Sequence, residues 1–292
     1  MSIVQVKNVT KHYGDVCALE NISVTFGENK IIGLLGRNGA GKTTLLNLMT
    51  NRLFASGGEI VIDGMDVREN DAALSLIYYM SEQTLFPESM RVSEAFLWTQ
   101  RYFPSFDAVY AGALCDLFGL SPKKRFKALS TGYTSIAKLI MALSVNTPVV
   151  IYDEPVLGLD ANHRDLFYKE LLANYVSHPK TVVLSTHIIE EIADLLEEVI
   201  IIKDHKVAVH QSVEELLSSA YQVSGGEEAV NRFLSGRRCI HRETMAGFCA
   251  ATILGAPSVA DQAELTALGL HKQGVELQKL FIHLTGEARE TR

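Results

Sequence analysis

A nine-residue stretch, Gly36 to Thr44, has the residue types and the spacing needed to bind phosphate groups. A glycine and four further residues precede Gly41-Lys42-Thr43, with an apolar run before the stretch and leucines at helical spacing after it. Such a loop turns its backbone N–H groups toward an anion at the positive end of a helix. The pattern predicts a nucleoside triphosphate cradle. The alternative is a glycine-rich turn that binds nothing, but the predicted strand and helix on either side favour the cradle.

Two side chains of this loop carry specific chemistry. Lys42 adds a full positive charge beside the β- and γ-phosphates. The hydroxyl of Thr43 is the expected ligand for Mg²⁺, a hard ion that prefers oxygen and keeps several waters. We expect the whole loop to bind the nucleotide, through Gly36, Arg37, Asn38, Gly39, Ala40, Gly41, Lys42, Thr43 and Thr44.

Polar side chains also follow two later apolar segments. Val149–Tyr152, typical of a buried parallel strand, leads into Asp153 and Glu154, and a second such strand leads into His187. Because parallel strands end at one sheet edge, these groups should lie together. We expect Asp153 to hold Mg²⁺ through water and Glu154 to polarise the water that attacks the γ-phosphate. The alternatives are a solvated turn and a structural histidine, and the phosphate loop favours the catalytic interpretation.

The elements that must position these residues follow an α/β pattern. Val4–Val9 and Ile22–Phe26 alternate as antiparallel strands, and Val92–Leu143 is mainly helical. We predict a mixed-sheet core with an antiparallel β subdomain and a helical insert. Tyr13, in the loop between the first two strands, would be able to stack on an adenine ring, although a lone tyrosine is more often ordinary packing.

Composition limits the class of protein. The chain has 292 residues, 47% of them hydrophobic and 21% charged, and a net charge of -7, which argues against a nucleic-acid partner. Neither a signal segment nor an apolar run of ~20 residues is present, so we expect a cytoplasmic chain that does not itself cross a membrane. The four cysteines are widely scattered, which disfavours both a zinc site and a disulfide framework.

Taken in order, the motifs resemble those of the ATPase subunits of ATP-binding cassette (ABC) transporters, over about residues 2–217. Gly36–Thr44 is similar to the Walker A loop, and Val149–Glu154 to the Walker B strand with its catalytic glutamate. Tyr13 lies where the family has its adenine-stacking aromatic, and Gln83 where it has the Q-loop glutamine. Leu129-Ser130-Thr131-Gly132-Tyr133 is similar to the signature, Gly158-Leu159-Asp160 to the D-loop, and His187 to the switch histidine. The resemblance implies that Lys42, Gln83, Glu154 and His187 are catalytic, with Gln83 sensing Mg²⁺ and the membrane partner.

The signature departs from the family pattern at two positions. Thr131 replaces the first glycine, and Tyr133 replaces the glutamine. Ser130 and Gly132 remain at the start of a predicted helix, where hydroxyl, backbone N–H and helix dipole would face a γ-phosphate. The resemblance implies that this phosphate belongs to a second ATPase subunit, bound head to tail. We favour a subfamily variant; the alternative is a weakened composite site.

The resemblance implies an ATP- and Mg²⁺-dependent hydrolase that powers a membrane exporter through a separate transmembrane permease, peripheral on the inner face of the cell membrane. The insert, about residues 85–145, would meet the permease, with Trp98 either anchoring it or buried in the insert's own core. The alternative function is a non-transport ABC ATPase acting on a macromolecular complex. A P-loop kinase is disfavoured by the signature and His187.

We predict two domains, a nucleotide-binding domain over residues 1–217 and a small α+β accessory domain over residues 218–292. In the second, Ser224-Gly225-Gly226 is predicted to break the chain, Glu227–Leu234 to form a helix, and strand-like and turn segments to follow as far as Gly269. Val275–Leu284 predicts an amphipathic helix. Its end, Leu280–Gly286, resembles the closing helix of extensions on ABC-2-type exporter ATPases.

Overall fold

The computed structural model of the protein describes residues 3–286, which divide into two compact units. The first unit consists of the chain up to His187 together with Glu198–His210. The second consists of Ile188–Glu197 and the chain from Gln211 onward. The chain therefore leaves the first unit for one short segment and returns to it. The division at residue 217 remains our proposal for the functional domains. No helix within residues 3–286 is both long enough and apolar enough to span a bilayer.

The first unit contains an antiparallel sheet, a mixed sheet and a group of helices. Its elements, with bounds, are β1 (Val4–Tyr13), β2 (Val16–Phe26), β3 (Ile31–Gly36), α1 (Lys42–Met49), β4 (Gly57–Ile62), β5 (Met65–Asp66), α2 (Asp71–Leu74), β6 (Ile77–Met80), α3 (Val92–Tyr102), α4 (Ala108–Leu117), α5 (Thr131–Ser144), β7 (Val149–Asp153), α6 (Ala161–Ser177), β8 (Thr181–Ser185), β9 (Glu198–Lys203) and β10 (Lys206–Ser212).

The mixed sheet carries the strands that end at the phosphate loop and at the two acids. Its order is β10-β9-β3-β8-β7-β6, and the pairings from β9 to β6 are parallel. Every residue of β3, β7 and β8 is buried, as expected for apolar strands covered on both faces. The register sets Leu34 and Asp153 on either side of Ser185, so the three strands end at one edge. This confirms the predicted α/β fold with a mixed-sheet core.

The antiparallel sheet, of order β2-β1-β4-β5, packs its inner face against α1 in a shared hydrophobic core. The prediction that Tyr13 lies in a loop is wrong, because β1 continues to Tyr13 and a two-residue turn leads directly into β2. Irregular pairing at Val9 and Lys11 interrupts the two-residue alternation, which explains why the sequence pattern ended too early. The Tyr13 side chain is 47% exposed, with Lys11 Nζ 5.0 Å from its ring centroid.

Two of the helices between β6 and β7, α4 and α5, begin at a residue whose side chain caps the helix. Asp107 Oδ1 accepts from the N–H groups of Val109 and Tyr110 at 2.9 Å to start α4. Ser130 Oγ accepts from Tyr133 N–H at 3.3 Å to start α5, which is buried from Ser135 to its end. The signature thus lies at the N-terminus of the most buried helix in the described part of this unit.

The second unit is a small α+β structure. Its elements are α7 (Ile189–Ile192), α8 (Val213–Ser218), β11 (Ala220–Gly226), α9 (Glu227–Leu234), β12 (Arg238–Met245), β13 (Phe248–Leu254), α10 (Val259–Ala267), β14 (His271–Gly274) and α11 (Leu277–Thr285). The antiparallel sheet has the order β12-β13-β11-β14, and the chain runs βαββαβ through β11–β14. Val223, Val230, Phe233 and Ile253 form part of its own hydrophobic core.

Three local predictions for this unit are wrong. Ser224–Gly226 does not break the chain but ends β11, where a Cβ on Gly225 would lie 2.5 Å from Leu270 Cδ2, so the glycine serves close packing. Val259–Ala267 is a helix, started by a capping box between Ser258 and Asp261 that the strand-like interpretation overlooked. The sequence also predicts a helix over Ile188–Glu197, with acidic residues near its N-terminus, but this segment is α-helical only at Ile189–Ile192.

Candidate functional site

Two glycines of the loop between β3 and α1, Gly36 and Gly41, leave no room for a side chain. Gly41 has φ +110°, and a Cβ there would lie 2.7 Å from Ala18 O and 2.5 Å from Leu19 Cδ2. At Gly36 a Cβ would lie 2.8 Å from Ile202 O. The backbone therefore passes so close to its neighbours that only glycine fits, while its N–H groups remain at the N-terminus of α1.

Lys42 lies across the inside of this loop. Its Nζ donates to Gly36 O at 2.6 Å and to Arg37 O at 3.4 Å, and the side chain is almost fully buried. Burial lowers the pKa of Lys42, and the nearby charges of Glu154 and Asp153 oppose that shift. The ammonium group is therefore held among carbonyls and carboxylates, where the phosphates of a nucleotide would add further counter-charge.

Asp153, at the end of β7, meets the loop through Thr43. Thr43 Oγ1 donates to Asp153 Oδ2 at 3.1 Å, and Tyr79 Oη donates to the same oxygen at 2.9 Å. The other oxygen, Oδ1, is buried and has no hydrogen-bond partner among the described residues. A hydroxyl and a carboxylate side by side, with one oxygen unpaired, fit a hard divalent cation such as Mg²⁺ and its waters.

Glu154 follows directly and turns out of the sheet. Its φ is +48°, in the left-handed region, and its N–H donates to Ser185 O at 2.7 Å. Its carboxylate oxygen Oε2 accepts from His187 Nδ1 at 2.8 Å and from Thr186 Oγ1 at 3.4 Å. Thr186 and His187, which follow β8, thus orient the carboxylate of Glu154, which follows β7.

These groups enclose a cavity of about 450 Å³, a volume that suits a small ligand. Its lining includes most of the loop, both acids and the histidine: Ala18, Asn38, Gly39, Ala40, Gly41, Lys42, Thr43, Thr44, Glu82, Asp153, Glu154, Leu157 and His187. We call this the phosphate cavity. The structure therefore brings together the predicted loop, the two acids and His187. Tyr13 is not part of the lining formed by residues 3–286.

Gln83 lies elsewhere. Among the described residues it lines a second, mainly apolar cavity of about 530 Å³, together with Tyr78, Phe86, Trp98 and others of α3 and β6. We call this the apolar cavity. Contact between Gln83 and a metal would require its side chain to turn away from this cavity. The residue that the sequence analysis missed is Glu82, which does line the phosphate cavity. The rule applied to Asp153, that polar groups after a parallel strand face the ligand, would have indicated it.

Trp98 does not lie in a core of the helical insert. Its side chain is 45% exposed, lines the apolar cavity and stacks on Tyr102 with 6.1 Å between ring centroids. Tyr102 is 68% exposed. The interpretation of Trp98 as a buried core residue is therefore wrong.

The signature and D-loop segments touch one another within the chain. A Cβ on Gly132 would lie 2.7 Å from Gly158 O. Asp160 caps α6 by accepting from His163 N–H at 2.9 Å, and the His163 ring meets the Tyr133 ring edge to face at 6.2 Å. Ser130, Thr131, Gly132 and Tyr133 are not in the phosphate-cavity lining that residues 3–286 provide. Their predicted contact with the nucleotide of a second subunit stays a proposal.

Comparisons with known proteins agree with this geometry. The family model described as ABC transporter matches residues 19–157. The ABC transporter ATP-binding protein YtrB of Bacillus subtilis (strain 168) is 26% identical over 214 residues, which are 73% of each chain. The taurine import ATP-binding protein TauB of Pseudomonas syringae pv. tomato (strain ATCC BAA-871 / DC3000) is 30% identical over 236 residues, 78% of this chain and 88% of the relative.

Solved structures show the same fold. A dimeric bacterial ABC transporter cassette, MJ0796, superposes with a TM-score of 0.64 at 24% identity, over 72% of this chain and 98% of that one. The ATP-binding subunit of another ABC transporter gives a TM-score of 0.67 at 19% identity, over 73% and 91% of the two chains. The chain is a member of the ATP-binding protein family of ABC transporters, an ATP-binding ATPase.

Proposed function

We propose that this chain is the ATP-hydrolysing subunit of a membrane exporter and acts through a separate transmembrane permease. The observation that carries the ATP chemistry is the pairing of Thr43 with Asp153 and of Glu154 with His187 around one cavity. The exporter direction is supported by the resemblance of Leu280–Gly286 to the closing helix of ABC-2-type exporter ATPases. Relatives such as the taurine protein carry import in their names, so direction needs its own test.

In the proposed mechanism each residue has one task. Lys42 and the loop N–H groups bind the phosphates, and Thr43 and Asp153 hold Mg²⁺. When bound, Mg²⁺ neutralises charge that develops on the phosphates. Glu154 accepts the proton of the attacking water as the new P–O bond forms and the bond to the β-phosphate oxygen breaks, releasing ADP and phosphate. His187 keeps the Glu154 carboxylate in place through its 2.8 Å hydrogen bond.

A second ATPase subunit completes the site in this proposal. Ser130 and the N-terminus of α5 would meet the γ-phosphate bound by the other subunit, and Asp160 would lie at the joint. The contact between Gly132 and Gly158 supports this arrangement, because it fixes the signature relative to the D-loop. ATP would favour the closed pair by binding both subunits at once, and hydrolysis would release them.

The apolar cavity is the proposed permease contact. Its rim carries exposed aromatic and aliphatic side chains, namely Leu85, Trp98 and Tyr102. Aromatic residues next to a pocket are typical anchors of protein interfaces. The chain would thereby lie on the inner face of the cell membrane without crossing it.

The experiment that tests the partner is affinity purification from detergent-treated membranes of the native cell. Wild-type protein should carry a multi-span permease with it, and the double variant W98A/Y102A should lose most of it. Phe54→Ala removes a similarly exposed ring that does not line the apolar cavity, so it should retain the permease. Protein recovered only with ribosomes or nucleic acid would contradict the proposal.

Direction has a separate test in cells that lack the chain. Loss of an exporter should raise the intracellular level of at least one compound and lower it in the medium, as measured by metabolite profiling of both. A compound that falls inside the cells and accumulates outside would instead indicate import.

A further inference from the structure

Successive residues of the loop after β6, Ser81–Gln83, line different cavities. Glu82 lines the phosphate cavity, together with Asp153 and Glu154. Gln83 lines the apolar cavity. The sequence analysis expected Gln83 to reach the nucleotide from this loop, whereas the residue that lines the phosphate cavity is its neighbour Glu82.

Lys138 holds this loop in place from helix α5. Its Nζ donates to Ser81 O at 3.0 Å and to Glu82 O at 2.6 Å, and the side chain is almost fully buried. Ser81 Oγ in turn donates to Gln83 O at 2.9 Å. A buried ammonium group that binds two consecutive carbonyls restricts the backbone on both sides of Glu82, and with it the directions in which Glu82 and Gln83 point.

The Glu82 charge acts on the same groups as Asp153. The pKa of Tyr79 is raised first by burial, then by Asp153, whose carboxylate it binds, and also by Glu82. The pKa of Lys138 is lowered by burial, and Glu82 and Asp153 oppose that shift. Glu82 therefore adds negative potential to the side of the cavity where Asp153 lies.

We propose that Glu82 is a third carboxylate of the nucleotide site, positioned by Lys138, and that it makes ATP binding depend more strongly on a divalent cation. The inference rests on the proposed role of the phosphate cavity in binding ATP. Three carboxylates around a tetra-anionic nucleotide repel it when no cation is present. A cation bound with the nucleotide reduces the repulsion between the carboxylates and the phosphates. A glutamine in place of Glu82 carries no charge and would not contribute to that repulsion.

The test is the affinity of a fluorescent ATP analogue, measured with EDTA and with Mg²⁺. Glu82→Gln should tighten metal-free binding about threefold or more and should reduce the gain from Mg²⁺ by a similar factor. Glu88→Gln makes the same charge change at an exposed residue that lines neither cavity, and both of its affinities should equal those of wild type. Glu82→Gln behaving like Glu88→Gln would overturn the inference.

The positioning role is tested by combining substitutions. In a Lys138→Met or Lys138→Gln background, Glu82→Gln should have a smaller effect on metal-free binding, because the carboxylate is no longer held at the cavity. Lys138→Arg, which keeps the charge and the donors, should restore the full effect. An undiminished Glu82→Gln effect in folded Lys138→Met protein would refute positioning by Lys138.

Two further outcomes identify what has failed. If Gln83→Ala changes the gain from Mg²⁺ and Glu82→Gln does not, the metal-sensing group is Gln83 and the inference about Glu82 is wrong. If wild-type protein fails to bind the analogue even with Mg²⁺, the proposed role of the phosphate cavity fails, and the inference with it.

Discussion

At the residue scale, an added methyl group at Gly132 should reduce ATP turnover strongly. Alanine there would place a Cβ 2.7 Å from Gly158 O and push the signature away from the D-loop. Because catalysis depends on sub-ångström placement, ATP turnover should fall at least about tenfold, while the affinity of a single chain for ATP should remain. Phosphate release and nucleotide binding on the same samples check this prediction.

The matched control for Gly132→Ala is Gly112→Ala in α4. An added Cβ there meets no described atom within 4 Å. Gly112→Ala should keep its turnover and should gain about 0.5–1 kcal/mol of stability, since alanine loses less backbone entropy in a helix. Wild-type turnover in Gly132→Ala would show that the signature and D-loop tolerate displacement.

Lys180, just before β8, gives the first unit a pH-dependent stability. Its Nζ donates to Asn146 Oδ1 at 2.8 Å, and burial lowers its pKa from 10.5 to about 8. Between pH 8 and 10.5 the unfolded chain binds more protons at this residue than the folded chain, so its contribution to the free energy of unfolding rises with pH, by up to about 3 kcal/mol. Urea unfolding of wild type and Lys180→Met across this range checks the sign.

Substitution by methionine removes the ionisable group, so between pH 8 and 10.5 the slope of unfolding free energy against pH should be less positive for Lys180→Met than for wild type. Well below pH 8 Lys180 is charged in both states, and its burial cost is then constant. Equal slopes for the two proteins would mean that Lys180 is not desolvated in the fold.

The residues of the phosphate cavity differ in how well the sequence predicts them. Lys42 and Thr43 begin the helix that follows β3, Asp153 ends β7, and Glu154 and His187 lie within two residues of the ends of β7 and β8. Local pattern and the geometry of a parallel sheet therefore bring them together. The choice between Glu82 and Gln83 depends on Lys138, which lies 56 residues from Glu82 in the chain. The sequence analysis named Gln83 because it resembles the family's Q-loop glutamine. The end of β6 indicates the Ser81–Gln83 loop as a whole, but only the contacts of Lys138 distinguish which of its residues lines the phosphate cavity.

At the element scale, the fully buried strands were the most predictable. β3, β7 and β8 are apolar on both faces, and polar groups lie at or after their ends, so their type and their ligand edge follow from the sequence. β1 was predicted too short because irregular pairing breaks its alternation. α10 was missed because its signal is the Ser258 capping box, with little apolar periodicity behind it.

Arg237 connects two helices of the second unit, α9 and α10. Its guanidinium group bonds Asp261 and Glu264 of α10 and the Phe233 carbonyl of α9, and lies 3.9 Å from the centroid of the Phe233 ring. Arg237→Ala should therefore lower the unfolding temperature of this unit by several degrees. Thermal unfolding followed by circular dichroism is the measurement.

Two further variants serve as controls for Arg237→Ala. Arg237→Lys should recover part of the loss, because lysine keeps the charge but not the planar set of donors. Arg238→Ala, at an exposed neighbour, should unfold as wild type does. Equal unfolding temperatures for Arg237→Ala and Arg238→Ala would mean that α9 and α10 are held by apolar packing alone.

At the scale of the whole molecule, the order of motifs along the chain was enough to identify the ATPase family. The assignment of Ile188–Glu197 to the second unit was not predictable. It depends on contacts made far along the chain, such as the 3.0 Å hydrogen bond from Glu190 N–H to Gln278 Oε1. Because Ile188–Glu197 lies between β8 and β9 of the mixed sheet, the sequence alone would assign it to the first unit.

The proposed head-to-tail pair predicts an ATP-dependent change of mass. Glu154→Gln, which should bind ATP without hydrolysing it, should sediment as a dimer in ATP and as a monomer in ADP. Glu88→Gln should remain monomeric in both at steady state, because its hydrolysis continues. A monomeric Glu154→Gln in saturating ATP would contradict a pair held together by nucleotide.

The most direct test of the account is the rate of phosphate release by wild-type and Glu154→Gln protein, with ATP affinity measured on the same preparations. If Glu154 accepts the proton of the attacking water, the variant should bind ATP as tightly as wild type. Its rate of phosphate release should be lower by a factor of at least about 100. Hydrolysis by Glu154→Gln at the wild-type rate, with binding intact, would contradict the assignment of Glu154 and the catalytic site built around it.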